Sequence, residues 1–274
     1  MAKRIPEGPP PPPTVQRLRI RYAKRGRLRF TSHRDFARAF ERALRRAGVP
    51  MAYSAGFSPH PKISYLGAAP TGVASEAEYL EIGVSARVDP GELAAALDAS
   101  LPGGLDILEV VESAGGSLAE RIEASRWEVR LPGVAYADAA AAVAAFLAES
   151  SVEVERLTKD GRRLLDARTA VVSAAVEGAA PGAASSSVGP ACAILTLVVR
   201  HVTPAVRPDD VLVGLRRVAD LVPPEPFQAT RSAQGPLGPD GRIADPLALD
   251  RAAAATADAG SDPQARTAGV AGCP

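Results

Sequence analysis

The residues best suited to chemistry sit in Gly56-Phe57-Ser58-Pro59-His60-Pro61-Lys62. Two prolines hold the backbone on either side of an imidazole near extended geometry. His60 could donate to a phosphate or take a proton near neutral pH. Lys62, two residues on, shares its side if a strand has begun there, so the two could grip one phosphate. The structural alternative is that His60 only pins the loop by a hydrogen bond. His33 lies near the first turn of an expected helix, where backbone amides and the helix dipole favour an anion over an imidazolium. It could be a neutral donor to phosphate, a general base, or a packing residue bonded to Asp35. Asp35 reads more simply as a helix cap than as a catalyst. His33, Asp35 and His60 have no recognisable ligand spacing, so no metal site is assigned.

Phe57 could stack on a base or anchor its loop in the core. Glu76, Glu78 and Glu81 could serve acid–base chemistry as paired carboxylates, but they read better as a solvated strand edge. Thr71-Gly72 is turn chemistry, since one glycine makes too few amides to cradle a phosphate. The net charge of +1 conceals a bipolar chain. Val15 to Gly48 holds twelve Arg or Lys against Asp35 and Glu41, while Glu76 to Glu123 holds eleven Asp or Glu against Arg87 and Arg121. A basic face for a polyanion follows, with Arg17, Arg19, Arg21, Arg34, Arg38, Arg42 and Arg45 as candidate nucleic-acid contacts beside Phe57, His60 and Lys62. The alternative is two charged faces that neutralise each other.

These residues need elements to position them. Arg17, Arg19 and Arg21 alternate with Leu18, Ile20 and Tyr22, the period of a strand with one apolar face. Ser32 with Asp35 makes a short capping box for a helix. Phe36, Phe40, Ala43, Leu44 and Ala47 form its buried stripe, Arg34, Arg38, Arg42 and Arg45 its outer one, and Gly48 ends it. Strands over 62–69 and 77–84, a helix from Asp89-Pro90 to about Ser100 and a strand over 105–111 complete the first half. The second half repeats that order: strand 126–131, helix 136–149, strand 152–157, a turn at Asp160-Gly161, strand material over 163–176, strand 191–201, helix 209–221 and strand 227–232. The fold class is α+β, with tandem ferredoxin-like βαββαβ units over 15–124 and 125–234. The extra strand in the second unit strains the match.

Residues 1–14 form a Pro-rich lead and 235–274 an Ala/Gly/Pro-rich tail, both expected to be disordered for want of large apolar side chains. A flexible loop is expected over 178–189. Cys192 and Cys273 are far apart, which excludes a disulfide framework and a zinc or iron–sulfur site built from this chain's thiolates, and fits the cytoplasm. The start is too proline-rich for a signal peptide, and no uncharged stretch is continuous enough to span a membrane.

Ser32-His33-Arg34-Asp35, Arg45-Arg46-Ala47-Gly48, Gly56 to Ile63 and the run from Thr71 to Leu80 resemble the motifs of the radical SAM-associated DUF2344 family. The resemblance is strongest over 15–112 and fades toward 232. Arg34 stands where the family more often has Leu, and Ser58 where Asn is common. The family's module occurs alone or joined to a radical SAM protein of the cobalamin-binding type. Without a CxxxCxxC triad, this chain resembles the separate accessory form. It would hold no cofactor itself, while its partner would carry an iron–sulfur cluster, S-adenosylmethionine and cobalamin.

Three functions follow. The first is an RNA-binding accessory module presenting tRNA or ribosomal RNA to a radical SAM partner, non-catalytic in itself. The second is a metal-independent endoribonuclease like the CRISPR repeat-processing enzymes, with His33 or His60 as base and Lys62 or Arg45 stabilising the phosphorane. The glycine-rich loop of those enzymes is missing. The third is a protein-only adaptor for a radical SAM enzyme.

Overall fold

The computed structural model describes residues 11–158, 161–177 and 191–259. Strand β1 (Gln16–Lys24) turns Leu18, Ile20 and Tyr22 toward helix α1 (His33–Arg46), whose Phe36, Phe40, Ala43 and Leu44 are buried. The helix starts at Ser32, whose Oγ accepts the Asp35 amide at 3.2 Å and donates to the Asp35 carboxylate at 2.7 Å. It ends at Gly48, which takes φ +66°, the left-handed conformation that lets the chain turn away after a helix. Strands β2 (Ile63–Leu66) and β3 (Ala74–Val84) follow, then α2 (Pro90–Ser100) and β4 (Leu105–Glu112). Asp89 caps α2 by accepting the Glu92 amide at 2.8 Å, and Pro90 occupies its first turn, where no amide donor is needed. β4, β1 and β3 lie side by side with β2 against β3, all antiparallel, and α1 and α2 cover one face.

The second half runs β5 (Ala124–Pro132), α3 (Tyr136–Ala148), β6 (Glu153–Thr158), β7 (Gly161–Asp166), β8 (Val171–Glu177), β9 (Cys192–Arg200), α4 (Pro208–Ala219) and β10 (Gln228–Gly235). The result is α+β: one mixed eight-stranded sheet in the order β4-β1-β3-β10-β5-β9-β8, with β2 paired to β3. Strand β10 joins the halves by pairing parallel to β3, Thr230 opposite Ala74 and Arg231 opposite Ser75. The strand material over 163–176 divides into β7 and β8. β6 and β7 pair only with each other as a separate hairpin, which accounts for the surplus strand. Helices α3 and α4 pack on Val129, Leu131, Leu195 and Leu197. Gly214 in α4 is required for that approach, because a Cβ there would come within 2.7 Å of the Phe146 ring.

The tail corrects the sequence expectation. Residues 235–259 are ordered and end in a fifth helix, α5 (Ala248–Ala259). Leu247 is fully buried with Ala77, Tyr79, Val111, Leu118 and Ile122 on the sheet face opposite α1 and α2. The segment was expected to be disordered because it carries few large apolar residues. It is instead tied down largely by ion pairs, which a count of apolar side chains does not register. Residues 260–274, the loop at 178–189, Asp160 of the expected turn and the lead up to Pro10 lie outside the described residues. Among those described, no helix is long and apolar enough to cross a membrane.

Candidate functional site

The β1 arginines point away from α1 and α2, and the acidic strand beside them takes them up. Arg17, 66% exposed at its side chain, lies 3.7 Å from Glu81. Arg19 is fully buried: its Nε donates to Glu81 at 3.1 Å and its Nη1 to both oxygens of Asp250 at 2.7 and 2.8 Å. Arg121 and the Ala114 amide also donate to Asp250, each at 2.9 Å. Arg21 donates to the Glu76 carbonyl at 2.9 Å, and Arg25 bridges Glu76 and Asp106. Arg19 is therefore removed from the candidate nucleic-acid surface, because α5 and its approach cover it. The three glutamates of β3 are not a solvated edge either, since β3 lies inside the sheet and each glutamate has a guanidinium partner.

The α1 arginines have a different fate. Arg34, Arg38 and Arg42 are exposed and make no ion pair or hydrogen bond among the described residues; Arg45 reaches only Glu41, at 4.0 Å. Their i, i+4 spacing aligns them on the face opposite Phe36 and Phe40. Just ahead of α1, a 3-10 turn over Gly26–Phe30 adds exposed Arg27 and the Arg29–Phe30 pair, with the guanidinium 4.7 Å from the ring centre. Phe30 is 58% exposed. Sequence reasoning missed Phe30 as a candidate; the available signal was its place in Arg27-Leu28-Arg29-Phe30, where basic residues interleave with large apolar ones ahead of a cap. Phe57 is 70% exposed and so does not anchor its loop in the core.

The Pro-His-Pro-Lys loop leads into β2. Here His60, Lys62 and Arg17 line one cleft of about 330 Å³ with Glu81, Ser54 and Thr14. The loop is pinned by backbone groups: the His60 amide donates to Ser54 Oγ at 3.0 Å and the Ser54 amide to the His60 carbonyl at 2.9 Å. The His60 imidazole has no hydrogen-bond partner among the described residues, and Lys62 Nζ donates to Thr14 Oγ1 at 2.9 Å. His33 is not in this cleft. It lies on the surface at the start of α1, its ring edge-on to Tyr65 at 5.0 Å. Among the described residues, no three His, Cys, Asp or Glu side chains converge as metal ligands.

A second polar cluster lies at the seam of the two halves. Buried Glu78 pairs with Arg231 of β10 and accepts the Ala69 amide at 3.0 Å. Lys24 Nζ donates to the Ala69 and Pro70 carbonyls at 3.2 and 3.3 Å, and removal from water lowers its pKa, partly countered by Glu78. Burial, followed by the Glu78 charge, raises the Tyr22 phenol well above its usual range. Ser125 and His201 lie beside this cluster, 2.7 Å apart, and desolvation pushes the His201 pKa down.

A family model, described as an uncharacterized protein conserved in bacteria (DUF2344), matches residues 17–208. The chain belongs to the DUF2344 family. No curated protein matches the sequence. The span typical of DUF2344 runs from β1 to the first residue of α4. It takes in the arginine row of α1 and the His60 cleft, and leaves out Arg231 on β10 and Asp250 on α5.

Proposed function

We propose that this DUF2344 chain is a cytoplasmic, non-catalytic RNA-binding module that presents tRNA or ribosomal RNA to a radical SAM partner carrying an iron–sulfur cluster, S-adenosylmethionine and cobalamin. The observation that carries the reading is the exposed row Arg34, Arg38 and Arg42, unpaired among the described residues and flanked by Arg29 and the exposed Phe30. Unpaired guanidinium groups beside an aromatic ring suit a phosphate backbone with splayed bases. We read the two halves, 15–124 and 125–234, as tandem ferredoxin-like units. The matching orders β4-β1-β3-β2 and β10-β5-β9-β8, each with two helices on the sheet, support this.

The test is binding of tRNA and ribosomal RNA fragments at two salt concentrations by wild type and by Arg38→Glu with Arg42→Glu, alongside capture of partners from native cells. Weaker binding with a flatter salt dependence is expected, together with recovery of a radical SAM protein. Equal affinity of wild type and variant in both salts overturns the RNA interface. Recovery of the radical SAM protein by a chain that binds no RNA leaves the protein-only adaptor.

The endoribonuclease reading is favoured by one observation: His60, Lys62 and Arg17 share a cleft. It requires cleavage of RNA in EDTA that His60→Ala abolishes; absence of cleavage removes it.

A further inference from the structure

A second cleft, of about 340 Å³, opens where the two halves of the sheet meet. One wall is Gly67, Ala68 and Pro70, from the segment joining β2 to β3. The other is Ser125 and Trp127 of β5, with His201 and Arg207 from the connection between β9 and α4. Its volume falls near the small end of ligand pockets, about 300–1,000 Å³, which suits one compact ligand.

The polar groups in this cleft have defined roles. His201 Nδ1 lies 3.0 Å from the Ile122 carbonyl oxygen. A carbonyl only accepts, so Nδ1 carries the proton and Nε2 accepts from the Ser125 hydroxyl. The serine has then committed its hydrogen inward, and its lone pairs remain to accept from an N–H group of a ligand. Trp127 supplies an aromatic surface, with the Arg231 guanidinium 5.4 Å from its ring centre. Arg207 is exposed at the rim and makes no ion pair among the described residues, so it is available to an anion. An aromatic wall, a buried acceptor and a rim cation make a complementary set for a base with its phosphate.

The position connects this cleft to the basic surface. The segment Gly67 to Val73 that walls it on one side meets Arg29 and Phe30 on the other. The Gly72 amide donates to the Arg29 carbonyl at 2.8 Å, and a Cβ on Gly72 would lie 3.7 Å from the Phe30 ring. A strand held by Arg29, Phe30 and α1 would cross only this segment to place a nucleotide in the cleft.

We propose that the seam cleft is a pocket for one nucleoside monophosphate unit, its base against Trp127 and bonded to Ser125, its phosphate at Arg207. The pocket chemistry stands on its own residues; delivery of the nucleotide as part of an RNA rests on the RNA-binding reading above.

Trp127 is the single tryptophan of the chain, so its fluorescence reports on the cleft alone. The protein is titrated with AMP, GMP, CMP and UMP, and separately with a single-stranded RNA oligonucleotide whose binding is also followed by gel shift. A saturable change is expected with at least one monophosphate or with the oligonucleotide. Arg207→Glu should weaken it by about tenfold or more, the scale of one charge-assisted hydrogen bond. Ala68→Phe, an exposed wall position, should abolish it by filling the cleft. No saturable change with any of the five, or a change indifferent to both variants, overturns the pocket. Oligonucleotide binding that responds to Arg38→Glu with Arg42→Glu but never perturbs Trp127 retains the RNA interface and overturns the pocket. Monophosphates that perturb Trp127 while no RNA binds establish a free-nucleotide site and overturn RNA presentation.

Discussion

Strand β1 and helix α1 carry arginines at similar density, and the fold treats them in opposite ways. On β1, β3 lies directly alongside, so Glu81 meets Arg17 and Arg19, and α5 then brings Asp250 onto Arg19. On α1, the apolar stripe alone is committed to the sheet, and Arg34, Arg38 and Arg42 are left in solvent. The bipolar charge pattern is thus divided: the strand arginines are neutralised within the fold, and the helix arginines remain available to a polyanion. Charge density along a sequence does not distinguish these outcomes. Which element lies across from the charge does.

The sharpest break of that comparison is Asp250→Ala. It leaves Arg19 buried without its carboxylate, and removing one partner of a buried pair costs about 3–5 kcal/mol. The denaturant midpoint should fall while its slope stays constant; a loss under about 1 kcal/mol would mean that Arg19 finds water or another partner. Reversal of Arg38 and Arg42 comes next, with each guanidinium–phosphate contact contributing about 1.5–3 kcal/mol to RNA affinity and about one unit of salt slope. Stability should be nearly unchanged, which separates binding arginines from structural ones. Ser32→Ala removes the α1 cap and should lower stability by about 1 kcal/mol, with the arginine row still in place and RNA affinity largely kept. The smallest effect is expected for Arg17→Ala, within about 0.5 kcal/mol of wild type, because its ion pair is surface-exposed. A large loss there would erase the distinction between the outer and inner arginines of β1.

The candidate site was partly legible in the sequence. The cap at Ser32, the apolar and basic stripes of α1 and the junction of His60 and Lys62 follow from local periodicity, and the structure places Arg17 beside the last two in one cleft. The seam cluster was not legible. Glu78 and Arg231 lie 153 positions apart in the chain, and Ser125 and His201 lie 76 apart. Nothing in the local pattern around any of the four marks it as paired. The hairpin β6–β7 was read as surplus strand for a similar reason, since alternation announces a strand but not its neighbour.

The sequence by itself determined the alternation of strands and helices, the caps at Ser32 and Asp89, the α+β class and the stretch of motifs that marks the DUF2344 family. These rest on interactions within a few residues, which period, capping and turn geometry encode directly. Only the tertiary structure decided which charges are spent on the fold and which are left for a partner. It also ordered residues 235–259, because Asp250 meets Arg19 across 231 positions and Arg121 across 129. Such pairings depend on chain reversals and strand order, and the free energy that fixes them appears only when distant segments are packed together.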